Sequence, residues 1–161
     1  MPDEGGFAFY KIQADASAPL MEIGTLEVDV EPEAICLYKN VTTGVLLATA
    51  VTEEGDVYQY KLNYDGSMVD SVLKDDSGAP KAVRQFNVGG ELSACAIDDQ
   101  TATLYVAEQG LGIWAYGADV ENVKERRLVD SVDPLGHLQE VEGLDIIYQQ
   151  SGGYLVVAEG G

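Results

Sequence analysis

Three observations predict an all-β protein built from a repeated sheet unit. First, a short phrase recurs at Val51-Thr52-Glu53-Glu54-Gly55, Val106-Ala107-Glu108-Gln109-Gly110 and Val157-Ala158-Glu159-Gly160-Gly161. Second, each copy follows another repeated phrase: Glu33-Ala34-Ile35-Cys36-Leu37-Tyr38, Ser93-Ala94-Cys95-Ala96-Ile97-Asp98 and Glu142-Gly143-Leu144-Asp145-Ile146-Ile147. The offsets are 20, 15 and 17 residues, counted from Glu33 to Glu53, Ser93 to Glu108 and Glu142 to Glu159. Third, the apolar runs are short, rich in Val, Ile, Leu and Tyr, and bounded by Gly, Asp and Asn, the pattern of strands joined by tight turns. A period of this kind means one supersecondary unit used repeatedly.

Taken in order, Phe7–Ile12 reads as a strand, Asp15–Pro19 as a turn and Ile23–Asp29 as a weaker strand. The first full unit comprises Ala34–Tyr38, a turn at Val41–Gly44, Val45–Val51, a turn at Glu53–Gly55, and Val57–Leu62. Asp65-Gly66 is a hairpin signal, and the unit finishes between Met68 and Phe86. The second unit repeats the order with Ala94–Ile97, a turn around Asp98–Gln100, Thr103–Ala107, Gly110, Gly112–Tyr116, and Arg127–Val132 after a charged loop. The third has Gly143–Tyr148, a turn at Ser151–Gly153, and Tyr154–Ala158.

Four strands per unit, at a period of roughly 50 to 60 residues, is the signature of a β-propeller blade. The expectation is one partial propeller domain over 1–161, with about two and a half to three four-stranded blades. A leading remnant covers roughly 6–33, blades follow at 34–90 and 91–139, and an incomplete one spans 140–161. Closed propellers have at least four blades. The chain is therefore expected to be a piece of a longer protein, or an arc completed by another domain or subunit. If the two phrases pair as antiparallel strands, the start of the first lies beside the end of the second. Both sets of carboxylates then gather on one face.

The charge narrows the partners. Twenty-eight acidic against nine basic side chains leave a net charge of −19. Such a surface repels nucleic acid and anionic membrane, so neither is expected as a partner. Acids spread in this way favour solubility, and clustered ones suit hard divalent cations. No apolar run approaches the ~20 residues needed to cross a bilayer, and Met1-Pro2-Asp3-Glu4 is not a secretory leader. Cys36 and Cys95 differ by one place within the repeat. They are expected to point to opposite strand faces, as buried free thiols. His137 is read as incidental, Tyr105, Trp114 and Tyr116 as packing residues, and the Asn40-Val41-Thr42 sequon as a chance triplet.

The chain resembles the β-propeller phytases. The resemblance is carried by Val83-Arg84-Gln85-Phe86 through Asp98-Asp99 to Leu104-Tyr105-Val106-Ala107-Glu108 and Gly112-Ile113-Trp114. Gly55-Asp56-Val57-Tyr58-Gln59-Tyr60-Lys61-Leu62 and Val141-Glu142-Gly143-Leu144-Asp145-Ile146-Ile147-Tyr148 match in the same order and spacing. The match extends from Phe7 onward and corresponds to the middle half of a family domain. It implies a six-bladed architecture and a secreted or periplasmic hydrolase, a calcium-dependent phosphatase that releases phosphate from myo-inositol hexakisphosphate. It also implies calcium ions held by carboxylates at one mouth of the channel, where they bind substrate phosphates and activate a water.

Carried over position by position, Glu142 and Glu140 are the implied catalytic and metal-site residues, with Glu108 and Gln109 as further metal ligands. Glu140 stands where the family has Asp. Gln109 replaces the second of two adjacent glutamates, Ser93 replaces a glutamate, and Gly160 replaces a glutamine. Glu53 reverses the sign of a phosphate-gripping lysine, and Glu33 stands in place of a tyrosine. Glu91, two places before Ser93, would share its face by strand alternation and could stand in for the lost carboxylate. These departures imply a divergent domain, weakly active in isolation. The rest of the propeller, or a second phytase domain, is then its partner. The alternative is a non-catalytic calcium-binding arc that serves as an interaction surface. A six-bladed lactonase-like hydrolase fits the phrases less well.

Overall fold

Thirteen strands in four antiparallel sheets, with no helix, make up the described residues, 5–121 and 126–160, of the computed structural model. Met1–Glu4, part of the charged loop and Gly161 of the third repeat lie outside the described residues. A hairpin of β1 (Gly6–Ile12) and β2 (Leu20–Glu27) comes first. The first whole blade has β3 (Ala34–Lys39), β4 (Leu46–Val51) and β5 (Asp56–Tyr64). Its outer edge is shared by two short strands that both pair with β5, namely β6 (Val69–Ser71) and β7 (Arg84–Asn87). The second blade is β8 (Leu92–Asp98), β9 (Thr103–Glu108), β10 (Gly112–Gly117) and β11 (Arg127–Ser131). A last hairpin joins β12 (Glu140–Gln149) and β13 (Gly152–Gly160). This is a partial propeller, and among the described residues the sheets do not close into a ring.

The sheets stack like tilted cards, and the core lies between them. Val51, Val57, Leu47 and Tyr38 of the first blade meet Cys95, Ile97, Leu104 and Val106 of the second. On its other face the first blade packs Ala48, Ala50, Tyr60 and Leu62 against Phe7, Leu26 and Val28. The small Ala48 and Ala50 leave room for the edge-to-face pair of Phe7 and Tyr60, whose ring centroids are 5.8 Å apart. The second blade likewise presents Ala94, Ala107 and Ile113 to Val141 of the last hairpin. β4 is therefore covered on both faces, which explains its unbroken run Leu-Leu-Ala-Thr-Ala-Val in place of an alternating pattern.

A buried polar network joins the same two blades. Gln59 is fully buried, and its Nε2 donates to Thr49 Oγ1 and to the carbonyl of Ala118, both at 3.3 Å. Arg84 Nη1 donates to Gln59 Oε1 at 3.3 Å and to the Gly117 carbonyl at 2.7 Å, while its guanidinium lies 4.5 Å from the Phe86 ring centroid. Each polar group in this interface thus has a partner, which removes the cost of burying it.

The expectation of free thiols is overturned, because Cys36 and Cys95 form a disulfide between β3 and β8. Their opposite strand faces are the physical reason. In stacked blades the forward face of one sheet meets the rear face of the next, so two cysteines on unlike faces of neighbouring inner strands point at each other. Closing a loop with a separation of 59 residues lowers the entropy of the unfolded chain by an amount worth about 4 kcal/mol in the chain-entropy model.

At the end of β3, Tyr38 donates its hydroxyl proton to Asp119 at 2.9 Å, and Asn40 Nδ2 donates to the same oxygen. Burial, then the Asp119 hydrogen bond and charge, push the Tyr38 phenol up to about 12. Burial, aided by Tyr58, does the same for Tyr60.

Two outcomes follow from these contacts. The unreduced protein should show no titratable thiol, and Cys36→Ala with Cys95→Ala should lower unfolding stability by about 2–4 kcal/mol in urea. For the tyrosines, the fold favours the neutral phenol. That contribution is intact below pH ~10, the unfolded value, and is lost as pH rises to about 12. Phenolate absorbance should therefore show two tyrosines ionising late, together with loss of the β circular-dichroism signal.

Candidate functional site

The three first-phrase strands run side by side. β8 lies between β3 and β12, and the backbone pairs Ala34↔Val51, Ala94↔Ala107 and Gly143↔Ala158 occupy equivalent places in the three sheets. The starts of the inner strands and the ends of their partners consequently meet on one rim, as the repeated phrases predict. One tie between sheets and one within a sheet hold that rim together. The Leu92 N–H donates across to the Thr52 carbonyl of the first blade at 3.2 Å, and within the second blade the Gln109 N–H donates to the Glu91 carbonyl at 2.9 Å, extending the β8–β9 ladder.

Glu140 and Glu142 open β12, and both are exposed. Glu140 Oε1 accepts from the Gly110 N–H at 3.3 Å, which brings β12 against the turn that carries Glu108 and Gln109. Gln109 is exposed in that turn. Glu142 sits at a bulge between Val141 and Gly143. Its carboxylate lies over Gly160, in the space a β-carbon there would fill. The glycine that replaces an expected glutamine is thus what lets Glu142 fold across the strand pair. Glu159 Oε1 accepts from the Gln139 N–H at 2.8 Å on the same rim.

Glu108 is the most constrained of the set. Its Oε2 accepts from Trp114 Nε1 at 2.6 Å. Oε1 lies over Gly89 and Gly90, where a β-carbon would come to within 3.3 and 2.8 Å. The Arg126 guanidinium stacks over the same indole, 4.0 Å from the Trp114 ring centroid, and its Nη1 donates to the Val88 carbonyl at 2.8 Å. Trp114 does more than pack: it aims a carboxylate. Its position six residues after Glu108, across a hairpin turn, was a readable signal for that bond. The Arg126 stack has no comparable signal, because it depends on how the chain returns from the loop to β11.

Two sequence expectations need correction here. Ser93 occupies a bulge between Leu92 and Ala94, so strand alternation does not carry from Glu91 to Ser93. The Ser93 hydroxyl donates to the Val141 carbonyl at 2.7 Å and ties β8 to β12. The phrase alignment is also one place out in the first blade. Thr52 follows the Ala34↔Val51 pair and so stands where Glu108 and Glu159 stand in the other sheets; Glu53 lies one step farther, in the turn. Thr52 is buried, and its Oγ1 accepts from the Asp56 N–H at 3.1 Å. The matching glycines mislead because Gly55, at φ +88°, comes one place later in its turn than Gly110, at φ +70°.

His137 lies against Asp130, with Nδ1 to Oδ2 at 3.1 Å. The N–H of Ser131, followed by the contacts with His137, holds the Asp130 carboxyl below the usual carboxylate range. Asn40 turns its amide oxygen to the N–H groups of Thr42 and Thr43.

The rim offers hard oxygen donors of the kind calcium takes, but they fall short in number. Among the described residues no three His, Cys, Asp or Glu side chains gather into a cation cradle. Glu108 and Glu140 each commit one oxygen to an N–H, whereas calcium takes six to eight oxygens. A complete cage needs further oxygens beyond these side chains.

Since Trp114 is the single tryptophan, it reports on this corner directly. Glu108→Gln should change the wavelength and intensity of its emission, because a full charge next to the indole N–H is removed. An unaltered spectrum would mean that the bond does not form in solution.

Comparison with known proteins places the chain. A protein-family model described as Phytase matches residues 17–161. A 3-phytase of Bacillus subtilis (strain 168) is 29% identical over 126 residues, a stretch that takes in 78% of this chain and 31% of the relative. The chain thus spans only about a third of the length of that relative.

Proposed function

The chain belongs to the phytase family, and we propose that it forms one part of a ring whose acidic rim acts on a phytate-type polyphosphorylated inositol, with little turnover from this part alone. The observation that supports this reading is the meeting of Glu140, Glu142 and the Glu108–Gly110 turn at one rim, in a chain matched to the family over nearly its whole length. Calcium, when bound there with donors from the rest of the ring, supplies positive charge toward a polyanion and Lewis acidity toward a phosphoryl oxygen. Glu140 and Glu142 are the residues assigned to hold it, supported by Glu108 and by the amide oxygen of Gln109.

The chain's own residues explain why turnover is weak. Phosphoryl transfer depends on positioning and on neutralising charge at the transferred group. Ser93 contributes a hydroxyl already committed to the Val141 carbonyl. Gln109 is neutral, and Glu53 places a negative group in the exposed turn where a cation would grip phosphate. Trp114 holds Glu108 in a fixed orientation, so one of its oxygens is kept facing the Gly89–Gly90 backbone. The Cys36–Cys95 disulfide suits an oxidising compartment, which fits secretion or the periplasm.

A second reading, a non-catalytic arc, draws on the same Ser93 contact: a residue used to join two sheets is not free to serve a substrate. Phosphate release separates the two. With myo-inositol hexakisphosphate and calcium, and with magnesium at matched ionic strength, this chain alone should release phosphate far more slowly than an intact member of the family. Ser93→Glu, Gln109→Glu and Glu53→Lys in a completed ring should raise the calcium-dependent rate. Robust turnover by the unmodified chain would contradict the reading of these residues as losses. No gain from the three substitutions would favour the arc.

A further inference from the structure

Glu108 closes β9 at the rim, and no cation meets it directly: among the described residues the ion pairs are Lys74–Asp70 and His137–Asp130. What fixes this carboxylate is a closed circuit of contacts that leaves the second blade and returns to it. Glu108 Oε2 accepts from Trp114 Nε1. Over the indole lies the Arg126 guanidinium, whose Nη1 donates to the Val88 carbonyl. Val88 is buried, and its N–H donates to the Gly55 carbonyl at 2.8 Å. Gly89 and Gly90 follow at once, and Glu108 Oε1 rests over them.

Each link has a physical reason. Pairing with Val106 and Leu128 places the Trp114 backbone, but the ring still turns about two bonds. A guanidinium 4.0 Å from the ring centroid restricts that turning, because a cation is drawn to the ring face and not to its edge. The charge over the ring also favours an N–H that gives its hydrogen to an anion, as linked polar contacts strengthen one another. Arg126 is held in turn, through Val88, to the Glu53–Gly55 turn of the first blade. Asn87 Nδ2 secures the same turn, donating to the Glu54 carbonyl and to Asp56 Oδ1, both at 3.0 Å. The circuit therefore sets the place of Glu108 relative to the next turn along the rim.

We propose that Arg126 is a positioning residue for Glu108, acting through Trp114, and that Gly90 is the bare floor this carboxylate needs. The proposal rests on the reading of the rim as a part of the ring that meets phosphate, where a carboxylate serves only if it is held in place. Arg126 orients Glu108 without neutralising it, whereas a guanidinium in direct contact would compete with any cation the rim takes. The two glycines have different reasons to be glycine. Gly89, at φ +141°, needs it for its backbone. Gly90 has no such φ, so what excludes a side chain there is the carboxylate, 2.8 Å from where a β-carbon would stand.

Trp114 is the single tryptophan, so its indole N–H gives one resonance, and nitrogen–proton NMR of the metal-free chain tests the circuit. Glu108→Gln should move that resonance upfield, and Gly90→Ala should reproduce the move by displacing the carboxylate. Arg126→Gln removes the charge and retains an amide donor. It should shift the resonance the same way and make the indole N–H exchange with solvent about tenfold faster. Arg126→Lys, which keeps a cation, should restore most of the native position. In a Glu108→Gln background the Arg126→Gln shift should shrink to less than about half, because both residues act on one bond. A native resonance in Arg126→Gln, a shift of equal size with and without the Glu108 charge, or a native spectrum for Gly90→Ala would overturn the proposal. None of these readouts involves calcium or phosphate release, so the positioning role and the phytase reading fail separately.

Discussion

Everything in this molecule follows from stacking the forward face of one twisted sheet on the rear face of the next. The β4 strand shows the constraint at its most severe. Leu47 and Val51 serve one interface and Ala48 and Ala50 the other, so all four are buried and none can be exchanged for a polar residue without loss on one side. Truncating a buried leucine in such a place costs about 2–5 kcal/mol. The stack also decides what can be polar inside it. Gln59 and Thr49 are tolerated because Gln59 donates to Thr49 and to the Ala118 carbonyl of the neighbouring blade and accepts from Arg84, which in turn donates to the Gly117 carbonyl.

The candidate site is a by-product of that stack. Inner strands that run the same way bring their starts together, so carboxylates far apart in sequence share a rim. What the stack does not do is aim them. Aiming comes from single contacts: Trp114 on Glu108, the Gly110 N–H on Glu140, and the absence of a side chain at Gly160 beneath Glu142. The result is a rim rich in oxygen donors whose carboxylates are aimed one at a time, with no three of them gathered into a cradle among the described residues.

Much of this was legible in the residues. Short apolar runs between turn residues located the strands, and the repeated phrases located the rim, because both depend only on period and spacing. The stretch from Met68 to Phe86 was not legible: it holds two short strands on one edge of β5, and three residues of β6 are too few to show a period. Thr52 was missed because a turn glycine shifted by one place imitates a true repeat. The disulfide was missed for a different reason. The opposite strand faces of the two cysteines are visible in the sequence, but that unlike faces meet is a property of the stack. The phytase resemblance stands as family membership, while calcium and catalysis by these residues rest on proposal.

Amide hydrogen exchange tests the stacking account most directly, because protection follows local stability. If the two interfaces around β4 and β9 carry the fold, the slowest amides lie in β4, β5, β8 and β9. Slowest exchange in the β1–β2 or β12–β13 hairpin would contradict it.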